Sequence, residues 1–297
     1  MSAAAVLLLL AGQVQVSIDA KRLNPSEPML VRFTIENPGE AAVDVDEPQD
    51  WAAGLEIRDA KDKVLKVSGS TGSARKVRLE GRAFIGKSVN IAGAIAGAAF
   101  DEGHWRLTWK HAGATSVGIE VLVVRDYIVR IDTNRGEMSL ELLPDNAPRN
   151  VLHFMGLVRK GFYDRKTFYR VIESFVIQGG DPKAKPVETV RGEFTDRKHM
   201  MGTMGMARGD DRDSAATEFY IALAPRPELD GKYSIIGQLV DGEKVLREIA
   251  QVRTDHSPCK GCGKENAPGP SPCCKTCHRD KPETDIVIKE ITLTERK

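Results

Sequence analysis

From Val14 to Val124 apolar and polar side chains take turns, and the turn-taking breaks only where the chain must reverse. Val14, Val16 and Ile18 follow it, as do Val31, Phe33 and Ile35 against Arg32, Thr34 and Glu36. Leu55 and Ile57 continue it, and Trp105, Leu107 and Trp109 repeat it against Arg106, Thr108 and Lys110. A period of two sets one face of a strand on a core and the other in water. Reversal chemistry separates the runs at Asn37-Pro38-Gly39-Glu40, Asp101-Glu102-Gly103 and Ala112-Gly113-Ala114. Short, evenly spaced strands with no helical stretch predict a β-sandwich over 13–125. Gly103 to Trp109 and Val117 to Val124 form its last hairpin. No cysteine lies in this part, so packing alone must hold it.

Around Val124 to Tyr127 a second unit begins almost without a linker. Val129 and Ile131 predict a strand, Asn134-Arg135-Gly136 a turn, and Met138, Leu140 and Leu142 the returning strand. A helix follows. Asp145 or Asn146 is its expected cap, Pro148 suits its first turn, and Val151, Phe154, Leu157 and Val158 share one face. Arg159, Lys160 and Gly161 end it with the cations and glycine that a helix carboxyl end favours. A second helix is predicted from about Asp241 to Val252, with Val245, Ile249 and Val252 inward. The remaining stretches read as strands. The fold class is therefore mainly β: an N-terminal sandwich, of immunoglobulin-like kind, then a closed antiparallel barrel capped by two helices over 126–297.

Composition narrows function more than fold. The 297 residues carry a formal net charge of +1, so electrostatic capture of nucleic acid has no support, and 6% aromatic residues argue against a stacking platform for single strands. With 41% apolar and 29% charged residues the chain reads as an ordinary globular protein. Ala3 to Gly12 is an apolar run well short of the ~20 residues a membrane helix needs. It resembles the core of a secretory signal, although no Lys or Arg precedes it. Export is expected, with a cytoplasmic location as the alternative.

The most informative stretch is Phe168-Tyr169-Arg170-Val171-Ile172-Glu173-Ser174-Phe175-Val176-Ile177-Gln178-Gly179-Gly180-Asp181. As strand, turn and strand it brings a fixed cation, an amide and a phenyl ring to one concave surface. It holds no serine–histidine or cysteine–histidine pairing, so it suits rotating a bond rather than breaking one. The stretch resembles the signature of cyclophilins, with Tyr169 where that family often has histidine. Three more segments fall in the family's order: the opening hairpin and helix from Val129; Met204-Gly205-Met206-Ala207-Arg208 through Thr217-Glu218-Phe219-Tyr220-Ile221; and Leu229-Asp230-Gly231-Lys232-Tyr233 leading to Ile236-Gly237. Together they extend the resemblance from Val129 to about Thr294, and it implies that the closed antiparallel barrel is eight-stranded.

The resemblance implies a peptidyl-prolyl cis–trans isomerase acting on Xaa–Pro bonds of protein clients, with no cofactor for catalysis. It implies Arg170 and Gln178 as catalytic residues. Phe175, Val176, Tyr220 and Leu229 match the family's proline pocket, and Ala207, Arg208 and Tyr233 its substrate-holding positions. Several of these depart from the usual residue. Arg208 stands for asparagine, Tyr233 for histidine and Val176 for methionine. Tyr220 stands for the phenylalanine of the pocket floor and adds a hydroxyl that needs a partner. Glu218 replaces a glutamine and could steady Arg170 or divert it. Glu228 replaces the tryptophan that favours cyclosporin in some members, which implies weak sensitivity to that inhibitor.

All five cysteines fall together: Cys259, Cys262, Cys273, Cys274 and Cys277. Cys259-x2-Cys262 and Cys274-x2-Cys277 have the spacing of two metal-chelating knuckles, so a structural zinc held by Cys259, Cys262, Cys274 and Cys277 is one reading of this insertion at 256–278. Disulfides are the other, natural in an exported chain, although an odd count leaves one thiol unpaired. Two functional alternatives stand beside the isomerase: a non-catalytic module of the cell envelope that grips proline-containing segments, and a structural envelope protein dominated by its sandwich.

Overall fold

Side-chain alternation becomes pleated strands through most of the chain, seen here in a computed structural model. The structure describes every residue except 1–13, 21–23, 25–27, 60, 68–73, 93–101, 185–187, 256–279 and 297. The apolar run Ala3 to Gly12, expected as a signal, and the cysteine cluster, expected to hold zinc or disulfides, both lie outside the described residues. Two compact units divide between Arg125 and Asp126.

The first unit contains β1 (Gln15–Asp19), β2 (Leu30–Glu36), β3 (Val43–Glu47), β4 (Leu55–Asp59), β5 (Val64–Lys66), β6 (Arg75–Leu79), β7 (Phe84–Asn90), β8 (Gly103–His111), β9 (Ala114–Thr115) and β10 (Ile119–Val123). One sheet runs β1-β2-β7 and another β10-β8-β4-β5, with β9 paired to β8 and β3 to β6. Val16, Ile18, Val31, Phe33 and Ile35 from the first sheet share one core with Leu55, Ile57, Trp105, Leu107 and Trp109 from the second. Trp109 is its centre. Phe33 meets it edge-on at 5.1 Å, Trp51 stacks on it at 5.9 Å, and its indole N–H donates to the Ala53 carbonyl at 2.9 Å. A buried indole with its one donor satisfied is a large apolar contribution without a polar penalty.

The second unit contains β11 (Tyr127–Thr133), β12 (Gly136–Leu142), α1 (Pro148–Arg159), β13 (Thr167–Ile172), β14 (Val176–Gly180), β15 (Thr203–Met206), β16 (Phe219–Ala222), β17 (Ile235–Asp241), α2 (Glu243–Ala250) and β18 (Ile288–Glu295). Eight strands form one antiparallel sheet in the order β13-β14-β16-β15-β17-β12-β11-β18. The expected closed barrel is corrected to an open, strongly curled sheet. Its edge strands meet over a few residues only, where Phe168 N–H donates to Ile286 O at 2.9 Å and Ile288 N–H to Lys166 O at 2.8 Å, around a single bridge between Thr167 and Val287. Register shifts between Asp132 and Thr133, Ser139 and Leu140, Phe168 and Arg170, and Met204 and Gly205. Such irregularities bend strands and raise local twist, which curls the sheet. Phe219 lies at the centre of the core beneath α1, its ring edge-on to Phe154, Tyr163 and Phe168.

Both helices differ from expectation in detail. Neither Asp145 nor Asn146 caps α1: Ala147 holds the N-cap position, and the Asn146 amide donates instead to Ile235 O at 2.7 Å. The cap comes from another part of the chain. Glu193 accepts from the backbone N–H groups of Arg149 at 3.3 Å and Asn150 at 3.0 Å. It thereby satisfies two otherwise orphaned donors and sets negative charge at the positive end of the helix dipole. α2 ends at Ala250, short of the expected Val252; its buried residues are Leu246 and Ile249, whereas Val245 and, beyond the helix, Val252 are only half-buried. Among the described residues no helix is long and apolar enough to cross a membrane.

Candidate active site

Four segments far apart in sequence contribute to one small apolar cluster. The turn joining β13 to β14, with Ser174 at a φ of 58°, presents Phe175 and Val176. Tyr220 comes from β16, Leu229 from a single turn at Pro227–Leu229, Ala207 from just after β15 and Tyr233 from just before β17. Val176, Tyr220 and Leu229 are buried together, with Phe175, Ala207 and Tyr233 packed against them and half-open to solvent. The structure thus gathers six of the seven residues expected to hold substrate. The seventh, Arg208, lies over the Tyr233 ring at 4.8 Å, and its guanidinium donates to Lys232 O at 3.0 Å and Gly209 O at 2.8 Å. Arg226 lies over Phe175 at 5.3 Å and pairs with the exposed Glu228 at 3.4 Å.

Polar chemistry lines up on the neighbouring strands. Arg170 of β13 stands directly opposite Gln178 of β14, and the register slips between Phe168 and Arg170 so that Tyr169 has no partner across the ladder. Consecutive residues of a regular strand point to opposite faces, and a bulge removes that constraint. Both Tyr169 and Arg170 consequently reach the same glutamine. Arg170 Nη1 donates to Gln178 Oε1 at 3.3 Å, while Gln178 Nε2 donates to the Tyr169 hydroxyl at 2.6 Å and to Glu218 Oε2 at 2.8 Å. The Tyr169 hydroxyl donates to the same Glu218 oxygen. Because a carboxylate only accepts, it pulls the NH2 end of the Gln178 amide toward itself and leaves the carbonyl end for the guanidinium. Burial, reinforced by Glu218, pushes the Tyr169 phenol far above its usual range, so it stays protonated.

The question the sequence raised about Glu218 is thereby answered: it orients Gln178, and the acidic partner of Arg170 is Asp280. Arg170 Nε lies 3.4 Å from Asp280 Oδ2, and the Asp280 carbonyl accepts from Val171 N–H at 2.8 Å. Asp280 is 110 positions from Arg170 and outside every segment that carries the resemblance, so no sequence signal pointed to it. Among the described residues Nη2 of Arg170 has no partner, and about a third of the side chain is open to solvent (36%). A guanidinium gripped on two sides with a donor left over is well placed to act on a bound group.

The Tyr220 hydroxyl finds its partner beneath the cluster, in His199 Nε2 at 2.8 Å. Tyr220 can lie there because Gly205 is its partner across the β15–β16 ladder; a Cβ at that glycine would come within 2.4 Å of the hydroxyl oxygen. Among the described residues no group of three or more His, Cys, Asp and Glu side chains converges as a metal site.

Residues 128–291, more than half of the chain, match the family model described as cyclophilin type peptidyl-prolyl cis-trans isomerase/CLD. A peptidyl-prolyl cis-trans isomerase of Arabidopsis thaliana is 33% identical over 138 residues, which is 43% of this chain and 84% of that one. A peptidyl-prolyl cis-trans isomerase-like 1 protein of Rhizopus delemar is 38% identical over 136 residues, 43% of this chain and 82% of its own. Among solved structures, a Cryptosporidium parvum cyclophilin type isomerase, crystallised in the presence of the dipeptide Ala-Pro, is 27% identical with a TM-score of 0.47, covering 57% of this chain and 99% of that one.

Proposed function

This chain belongs to the cyclophilin-type peptidyl-prolyl cis-trans isomerase family, and we propose that Arg170 carries its catalysis with Gln178 holding the arginine in place. The reaction is rotation about Xaa–Pro bonds. Amide resonance sets a barrier of about 18–20 kcal/mol to that rotation. Turnover near 10³ per second corresponds to a barrier of about 13 kcal/mol, so the enzyme must supply on the order of 6 kcal/mol. No bond is made or broken, and no cofactor enters. Half-way through the rotation the prolyl nitrogen is pyramidal and its lone pair is no longer conjugated. A guanidinium N–H donating to that lone pair is stronger in the twisted state than in either planar state, which is the condition for lowering the barrier.

The observation that carries this reading is the double grip on Arg170. Gln178 takes Nη1 and Asp280 takes Nε, which supports a fixed direction for the remaining guanidinium N–H groups, on a strand pair whose Gln178 stands opposite Tyr220 of the apolar cluster. A donor already oriented costs no reorganisation when charge develops. The cluster of Phe175, Val176, Tyr220 and Leu229 then serves as the seat for the proline ring, anchoring one side of the rotating bond. Ala207, Arg208 and Tyr233 border it, placed to hold the client backbone. Partners are proline-containing polypeptide segments. A binder that cannot turn its ligand would need Glu218 and Tyr220 to disable the site. Glu218 instead orients Gln178, and the Tyr220 hydroxyl bonds to His199.

The test is acceleration of cis–trans exchange in a short Xaa–Pro peptide. The wild type is expected to accelerate it, and Arg170→Ala to lose at least a hundredfold of that acceleration. Equal activity in the variant would remove Arg170 from the mechanism. For the first unit, the pairing of a β1-β2-β7 sheet with a β10-β8-β4 sheet supports an immunoglobulin-like sandwich.

A further inference from the structure

We propose that His199 is a positioning residue for the proline pocket, its buried imidazole tying two of the walls together and its backbone carbonyl a third. The proposal rests on reading the Val176–Tyr220–Leu229 cluster as that pocket. His199 belongs to none of the segments that carry the family resemblance, and its side chain is fully buried (0% exposed). Nδ1 lies 2.9 Å from Asp230 Oδ1, and the backbone N–H of His199 donates to the same oxygen at 2.8 Å. In the tautomer that gives Nδ1–H to the carboxylate, Nε2 carries a lone pair that accepts from the Tyr220 hydroxyl, 2.8 Å away. Those two hydrogen bonds occupy both ring nitrogens.

Each contact of His199 leads to a different wall. Through Nε2 it fixes the hydroxyl of Tyr220, whose ring forms the floor and meets Tyr233 edge-on at 5.7 Å. Through Nδ1 and its backbone N–H it fixes Asp230, the residue after Leu229. Through its carbonyl it accepts the backbone N–H of Arg226 at 2.8 Å, and the Arg226 guanidinium covers Phe175. A phenylalanine floor would be placed by packing alone. Here the ring is also held at its far end, and Gly205 leaves the hydroxyl no side chain to displace on the way to the imidazole. Buried hydrogen bonds to otherwise unsatisfied groups are costly to lose, so the floor has one favoured position.

The position of the floor sets how well a proline ring fits, not how the prolyl nitrogen is polarised. Loss of the imidazole should therefore weaken substrate binding and spare the rotation step. The test is titration of a short Xaa–Pro peptide into the full chain, with cis–trans exchange of the bound peptide followed by NMR in the same samples. His199→Ala is expected to bind about tenfold more weakly, as expected for one buried hydrogen bond left unmade, with on-enzyme exchange within about threefold of wild type. His199→Gln, whose amide can still reach the hydroxyl, should recover most of the loss. Tyr220→Phe should weaken binding about threefold, and His199→Ala/Tyr220→Phe should bind no more weakly than His199→Ala, because both changes cut the same link. Unchanged affinity in His199→Ala overturns the proposal, as does a double variant weakened by the product of the two single effects. If His199→Ala does not fold, unchanged affinity in both Tyr220→Phe and His199→Gln overturns it. A wild type that binds no peptide would remove the pocket reading itself, a distinct failure.

Discussion

The apolar pocket and the polar strand pair beside it are built on opposite plans. Residues from four separate segments make the pocket, packed around the buried Val176, Tyr220 and Leu229. Arg170, Gln178, Tyr169, Glu218 and Asp280 make the polar side, placed by hydrogen bonds whose donors and acceptors must match one by one. Burial tolerates exchange of one apolar group for another, so Val176 can stand for methionine with the pocket still assembled. A hydrogen-bond chain tolerates exchange only where the donor–acceptor order survives. Glu218 meets that condition: it accepts on the side where Gln178 has hydrogens to give. The lesson is that changes in the pocket should act on binding and changes in the polar chain on turnover.

The change expected to separate the two most sharply is loss of the guanidinium. Arg170→Lys keeps the charge but not the planar fork that engages Gln178 and Asp280 at once; kcat should fall about tenfold or more, and KM should move by less than threefold, in a steady-state peptide assay. An equal loss in both parameters would mean that the arginine binds substrate instead of turning it.

Gly205→Ala should do the reverse. A methyl group 2.4 Å from the Tyr220 hydroxyl forces the floor ring upward, so KM is expected to rise about tenfold with kcat nearly kept. Asp280→Asn is a smaller intervention on the polar side. The pair is part-exposed and held at 3.4 Å, which limits its strength, so a threefold to tenfold fall in kcat is expected. Raised salt should narrow the gap between variant and wild type, since screening weakens the ion pair only where it exists. Glu218→Gln restores the residue usual in cyclophilins and should change kcat by no more than about threefold, because an amide oxygen can still accept from Gln178.

The smallest effect concerns pH. Hydrogen bonds from the backbone N–H and the ring of His199 hold the Asp230 carboxyl below its ordinary range. Its folded value lies below its unfolded one, so the stabilisation is fully present above about pH 4 and is lost as pH falls through the depressed value. Melting temperatures of wild type and Asp230→Asn should therefore differ at neutral pH and converge in acid. A constant difference across that window would show that the carboxylate charge contributes nothing.

Much of this was legible in the chain. Period-two alternation locates β2, β4 and β8, and Pro148 with the following apolar face locates α1, because each depends on neighbours in sequence. The members of the apolar cluster were legible through the resemblance, whose motifs are contiguous. What escaped depends on distant partners. Glu193 caps α1 from 43 positions away and Asp280 reaches Arg170 across 110. His199 meets Tyr220 from 21 positions away, beside the pairing of β15 with β16. Nothing local marks these residues. The expected closure of the barrel failed for a related reason: bulges decide how far a sheet curls, and a bulge such as the one at Tyr169 leaves no compositional trace. The inward face of α2 was misjudged because Val245 packs against the side of Gly136 while Leu246 points to the core.

The central claim is that Arg170 lowers the barrier of a proline already seated in the pocket. NMR exchange measured on saturated enzyme tests it most directly, because saturation removes affinity from the comparison. Wild type and Arg170→Ala are expected to bind the same Xaa–Pro peptide within about threefold, while the on-enzyme exchange rate falls at least a hundredfold, the loss typical of removing one preorganised donor. On-enzyme rates that agree within threefold would contradict the account.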